Sequence, residues 1–105
     1  MQAILINGGT GFTDGDLTPE AIAPLFDREI EGFGELFRML SYEDIGTATV
    51  QSRAIAGLAN QTVIFAMPGS TRACTTAWER IIQDQLDARY KPCNFYPHVK
   101  KPLQS

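Results

Sequence analysis

The sequence predicts a single α/β domain with parallel strands, and three features carry that expectation. A short apolar run, Ala3-Ile4-Leu5-Ile6, breaks at once into Asn7-Gly8-Gly9-Thr10-Gly11 and then into a helix start at Thr18-Pro19-Glu20. The same order returns at Thr62-Val63-Ile64-Phe65-Ala66-Met67, a clear buried strand, followed by Pro68-Gly69-Ser70-Thr71 and an amphipathic stretch. Finally, 105 residues, 44% hydrophobic and 20% charged, suffice for one core and one domain.

Taken in order, Ala3–Ile6 reads as a fully buried strand because its apolar run is continuous rather than alternating. Thr18 suits a helix cap, Pro19 the first helical position, and Glu20 the positive end of the dipole. Ile22, Leu25 and Phe26 then share one face. Pro24 has no N–H to return to Glu20, so a kink or early stop is expected there. Gly32-Phe33-Gly34 separates this segment from a second helix, about 35–45, with Phe33, Phe37 and Leu40 on one side and Gly46 as its stop. Residues 47–50 are β-prone, 52–59 fit either a helix or a strand, and Asn60-Gln61 is a turn. From a cap at Ser70 or Thr71, a helix running to about residue 88 buries Cys74, Trp78, Ile81, Ile82 and Leu86. Three prolines and no periodicity after Tyr90 read as an extended tail, dividing the chain into a domain over 1–90 and a tail over 91–105.

A net charge of −3 argues against nonspecific nucleic-acid binding, which needs a basic face. It leaves room for a phosphate-bearing small molecule, which backbone N–H groups hold whatever the global charge. Cys74, Cys93 and the single His98 do not have the spacing of a zinc site. Ala3–Ile6 is too short for a secretion signal, and no apolar run approaches the roughly 20 residues of a membrane span. The expectation is a cytoplasmic protein without a membrane partner.

If the two strands are parallel, right-handed crossovers bring both glycine turns to one carboxyl edge, where open α/β sheets bind ligands. Gly8, Gly9, Thr10, Gly11 and Asp16 would then face Gly69, Ser70 and Thr71. Glycines allow close approach of backbone N–H groups to phosphate oxygens, and Thr10 and Ser70 add hydroxyls. Asp16 is a candidate Mg²⁺ ligand that would offset phosphate charge. Arg53, if it reaches this edge, is a candidate bidentate oxyanion clamp. Plainer readings fit the same residues. Gly-Gly-Thr-Gly also makes ordinary tight turns, Asp16 equally fits a helix end, and Arg53 suits a surface ion pair. The residues by themselves lead to an α/β domain with a phosphate site and stop there.

Gly8-Gly9-Thr10-Gly11 with Asp16-Leu17-Thr18-Pro19-Glu20-Ala21 resembles the signature of the MoaB/Mog family of molybdopterin-binding and molybdopterin-adenylylating proteins. Further segments resemble its B branch: Pro24 to Glu29, Gly32 to Ser41, Gln51-Ser52-Arg53-Ala54, Met67 to Thr71, and Arg89 to Lys101. The resemblance implies a three-layer α/β/α fold with a mostly parallel sheet, in trimers or hexamers. It implies a role in molybdenum cofactor synthesis, with Mg²⁺ and ATP used to adenylylate molybdopterin and release pyrophosphate. Other enzymes of that pathway are implied partners. The alternative is a binding or assembly protein that holds molybdopterin without turnover. Carried onto this sequence, Gly8, Gly9, Thr10 and Gly11 form the phosphate-facing turn and Asp16 is the catalytic and metal-binding acid. Gly69, Ser70 and Thr71 contact the pterin phosphate, and Ser52 and Arg53 match a Ser-Arg pair placed with the substrate. Against the family pattern the domain reads as incomplete at the N-terminus, lacking a preceding strand with its own Ser-Asp or Ser-Asn motif. That departure leaves open whether the chain is an enzyme.

Overall fold

The structure, a computed structural model, describes residues 3–99. Its organising element is β4 (Thr62–Met67), a run of β-branched and aromatic residues buried on both faces. β1 (Ala3–Asn7) lies parallel to it, with Leu5 opposite Phe65 and Asn7 opposite Met67. On the other side β3 (Ile55–Ala59) runs antiparallel to β4, and the short β2 (Arg28–Glu29) runs antiparallel to β3. The order is β1-β4-β3-β2, so the four described strands form a mixed sheet, with one parallel pair where a mostly parallel sheet is expected. The stretch over 52–59 resolves to a strand because β3 and β4 form a hairpin. Asn60 (φ 51°) and Gln61 (φ 65°) make its two-residue turn, both in the left-handed conformation that matches strand twist.

Side-chain alternation along β4 builds the three layers. Val63, Phe65 and Met67 face a core with Phe33, Phe37, Leu40, Ile81 and Ile82, while Ile64 and Ala66 face Ile22 and the partly buried Ile6 and Phe26. The first face is covered by α2 (Glu31–Ile45) and α3 (Thr71–Ala77), the second by α1 (Thr18–Ile22) and the segment after it. β1 departs from the expected buried strand. It lies at the end of the strand order, and Ile4 and Leu5 are 44% and 49% exposed.

The helices follow their local chemistry, with four differences. α1 gives way at Ala23–Leu25 to a 3₁₀ turn, as Pro24 requires. Its cap position is Leu17, because the Thr18 hydroxyl donates to Gly8 O (2.9 Å) and does not cap the helix. α2 begins before its two glycines. Gly34 is buried, and a Cβ there would lie 2.7 Å from Ala54 O, so glycine lets the helix lie close on the chain leading into β3. Residues 46–51 form a 3₁₀ turn where β structure is expected, secured by the buried Thr49 hydroxyl donating to Arg38 O (3.2 Å). After α3, a π-helical segment, Trp78–Ile82, widens the helix by an extra residue per turn and rotates the face that follows. Trp78, expected in the core, is therefore 41% exposed, and Ala77, Ile81 and Ile82 take the interior.

Short α4 (Gln83–Gln85) ends this helical run, and the tail then folds back. Phe95 N–H donates to Gln85 O (2.7 Å), Gln85 Nε2 donates to Cys93 O (3.2 Å), and Tyr96–Val99 form α5. The expected extended tail thus packs on the body as far as the described residues go; its last part, 100–105, lies outside them. Among the described residues no helix is long and apolar enough to cross a membrane.

Candidate anion-binding site

The parallel pairing of β1 with β4 does what the two glycine turns need: both leave the sheet at the same end. Gly8 N–H donates to Met67 O (2.8 Å), carrying the pairing one residue past the strand. A Cβ on Gly69 would lie 3.5 Å from Gly8 Cα, so the two turns are in direct contact. Ser70 caps α3, its Oγ accepting from Ala73 N–H (3.1 Å). Thr71 is the first residue of that helix.

The first turn is held from both sides. Gly9 has φ 73°, and Thr18 closes over it: Thr18 N–H donates to Gly9 O (3.0 Å) and its hydroxyl donates to Gly8 O. Arg53 closes the other side. Its N–H donates to Thr10 O (2.7 Å), its Nε to Gly11 O (2.8 Å) and one terminal nitrogen to Asp16 O (2.6 Å). The other terminal nitrogen pairs with the Glu20 carboxylate, and the guanidinium lies 5.1 Å from the centroid of the Phe12 ring. Arg53 does reach the expected edge, but the loop's own acceptors engage its planar fork where a bidentate oxyanion clamp is expected. Its neighbour Ser52 accepts from Ala54 N–H through Oγ (3.3 Å) and gives its carbonyl to Arg38 (3.2 Å), which stiffens the segment carrying Arg53.

Asp16 closes the loop on itself. One carboxylate oxygen accepts from the Thr13 hydroxyl (2.6 Å) and from Thr13 N–H (3.0 Å). These bonds, with the Arg53 charge contributing less, hold its carboxyl below the ordinary aspartate range. The Arg53 hydrogen bond likewise lowers Glu20, and Glu20 raises Arg53. Among the described residues no cluster of three or more His, Cys, Asp or Glu is placed to hold a metal ion. A magnesium ion here would need ligand phosphate oxygens to complete its shell, as Mg²⁺ commonly does.

What the clasp leaves open is a set of backbone and hydroxyl donors. Thr10 is only 2% exposed, yet neither its N–H nor its hydroxyl has a partner among the described residues, and the same holds for Gly9 N–H. Buried polar groups without partners are rare in folded chains. Here they sit in a glycine turn, the arrangement that receives oxyanions. The structure thus sets Gly8 against Gly69, with Gly9, Thr10, Gly11 and Asp16 continuing the first turn, Ser70 and Thr71 following Gly69 into α3, and Ser52 and Arg53 behind the first turn. Phe12, Thr13, Thr18, Glu20 and Arg38 are neighbours of the candidate site that sequence reasoning did not assign to it. The Thr13–Asp16 spacing of a side-chain-closed turn was a usable signal; the pairing of Glu20 with Arg53 had none.

Fold and site together define an α/β domain that presents two touching glycine turns at the carboxyl end of a parallel strand pair, the edge at which open α/β sheets bind ligands. Residues 1–88 match the family described as "Probable molybdopterin binding domain", and the chain belongs to that family. It is 71% identical over 101 residues to molybdenum cofactor biosynthesis protein B of Escherichia coli (strain K12), covering 96% of this chain and 59% of that protein. A crystal structure of a molybdenum cofactor biosynthesis protein B superposes with a TM-score of 0.79 at 50% identity, over 82% of this chain and 54% of that one. The molybdopterin biosynthesis enzyme MoaB of Thermus thermophilus superposes with a TM-score of 0.77 at 32% identity, over 97% of this chain and 60% of that one. The chain therefore spans about three fifths or less of the length of these relatives.

Proposed function

We propose that this chain acts in molybdenum cofactor biosynthesis by holding the phosphate of molybdopterin against Mg-ATP for adenylyl transfer. In that reaction a phosphate oxygen of molybdopterin attacks the α-phosphorus, the bond to the β-phosphate oxygen breaks, and pyrophosphate leaves. The observation that carries the reading is the unpartnered Gly9 and Thr10 N–H groups, in a turn pressed against Gly69. Donors already fixed in place stabilise charge on the transferring phosphoryl group without reorganising. Asp16 is ionised, its carboxyl held below the ordinary aspartate range by the Thr13 hydrogen bonds with the Gly11 N–H contributing, as a partner to the magnesium of Mg-ATP must be. Names of the relatives support the ligand class, and the contact between the two glycine turns supports the choice of site. The test is pyrophosphate release from verified folded protein given molybdopterin and Mg-ATP; none at saturating substrate rules out catalysis by this chain.

One observation favours a second reading, molybdopterin binding without turnover. The Asp16 carboxylate already has a structural task, closing the turn on Thr13. In that case Asp16→Asn, whose amide oxygen still accepts from Thr13, leaves molybdopterin affinity unchanged and no pyrophosphate appears with either protein.

A further inference from the structure

We infer that Phe12 is a stacking platform for the planar heterocycle of the phosphorylated ligand, propped from behind by Arg53 and placed one residue beyond the glycine turn. This rests on the phosphate-binding reading of that turn.

Phe12 is 65% exposed, a large apolar surface to leave in water on a loop whose Gly11, Thr13 and Asp16 are held by hydrogen bonds. Its ring is nonetheless oriented. The Arg53 guanidinium lies over one face, 5.1 Å from the centroid, and is itself fixed by Gly11 O, Asp16 O and Glu20. A ring held on one face by an anchored cation offers its other face at little further entropy cost. The ring also borders an open cleft of about 490 Å³ whose lining includes Pro19, Glu29, Val50, Ser52 and Ile55. That volume is within the range of small-molecule sites. Apolar Pro19, Val50 and Ile55 suit the faces of a flat ring. Glu29, an acceptor in the same cleft, suits an exocyclic amino group of the kind pterins and adenine carry. Gly11 alone separates Phe12 from Thr10, which keeps the ring within reach of a ligand whose phosphate sits on Gly9 and Thr10.

The experiment compares three probes on wild type, Phe12→Ala and Phe12→Tyr by calorimetry: a phosphorylated pterin, AMP and inorganic pyrophosphate. Circular dichroism verifies that each variant is folded. Stacking of a base on an aromatic side chain predicts that Phe12→Ala weakens at least one ring-bearing probe by about 5-fold or more. Pyrophosphate should change less than about 2-fold, and Phe12→Tyr should restore ring binding. Equal loss of all three probes, or loss of none, overturns the platform while leaving the turn as an anion site. Ring binding that depends on Phe12 in a protein blind to pyrophosphate supports the platform and overturns the phosphate reading. No binding of any probe by wild type overturns both.

Discussion

Replacing Gly9 by alanine tests how the glycine turn is held. At φ 73° an L-residue pays for the left-handed conformation, about 1–2 kcal/mol. The added methyl would also lie 2.1 Å from Thr18 Oγ1 and 3.1 Å from its Cβ, so the hydroxyl must rotate away. Rotation forfeits the 2.9 Å bond to Gly8 O, a further loss of about 1 kcal/mol. Gly9→Ala should therefore destabilise by about 2–3 kcal/mol. Thr18→Ala removes the same hydrogen bond directly and should cost about 1 kcal/mol. Because the first substitution already breaks the bond that the second removes, the double variant should be no worse than Gly9→Ala alone. The cycle then shows a coupling of about 1 kcal/mol, readable from urea unfolding of the four proteins. Strict additivity would refute the reasoning, since it would mean that methyl and hydroxyl do not compete for one space. Gly9→Ala within about 0.5 kcal/mol of wild type would refute the assigned backbone conformation as well.

Two further predictions follow from the same packing. Folded-state pKa values of Asp16 and Glu20 lie below their ordinary ranges, so the stability they contribute is fully present above the unfolded values, about 4. It is lost as pH falls through the lowered folded values. Thr13→Ala should move the Asp16 midpoint up, and Arg53→Lys should move that of Glu20, in carboxyl-detected NMR titrations; unmoved midpoints would contradict the assigned partners. Gly57→Ala would set a Cβ 2.3 Å from Phe26 Cγ, at the stiff base of the ring, and should cost about 1–3 kcal/mol in urea unfolding. A variant as stable as wild type would show that Phe26 does not pack flat on β3.

The elements legible in the sequence are those whose chemistry is local. β4 announces itself by an unbroken β-branched and aromatic run, the Ser70 cap by its position before a helix, and the break after Ile22 by Pro24. Elements that depend on distant neighbours are not legible in this way. Gly34 reads as a helix breaker, yet Ala54 O makes glycine the residue that fits there. Nothing in Trp78 and its neighbours signals the π-helical segment that turns the indole outward. β1 has the sequence of an interior strand yet stands last in the order of the described strands, because order in the sheet is set by pairing partners and not by composition. β2 is two residues long, below what any periodicity can reveal.

The site divides along the same line, and the division bears on how it works. Glycines at positions 8 and 9 are readable because their positive φ angles answer a backbone demand at their own positions. Arg53 is not, because its role depends on the fold bringing it to acceptors 37 and 42 residues away in sequence, Asp16 O and Gly11 O. Its five donors make it look like a ligand clamp in sequence; in the fold they shape the loop that would meet the ligand. The turn therefore has a lid of its own side chains on each flank, Thr18 toward α1 and Arg53 toward β3, and donors left free between them. A site arranged this way is sensitive to substitutions that never touch a ligand. Under the proposed function, loosening either flank would change where the Gly9 and Thr10 N–H groups point, and the electrostatic advantage of donors fixed in advance would be lost before any contact with substrate is removed.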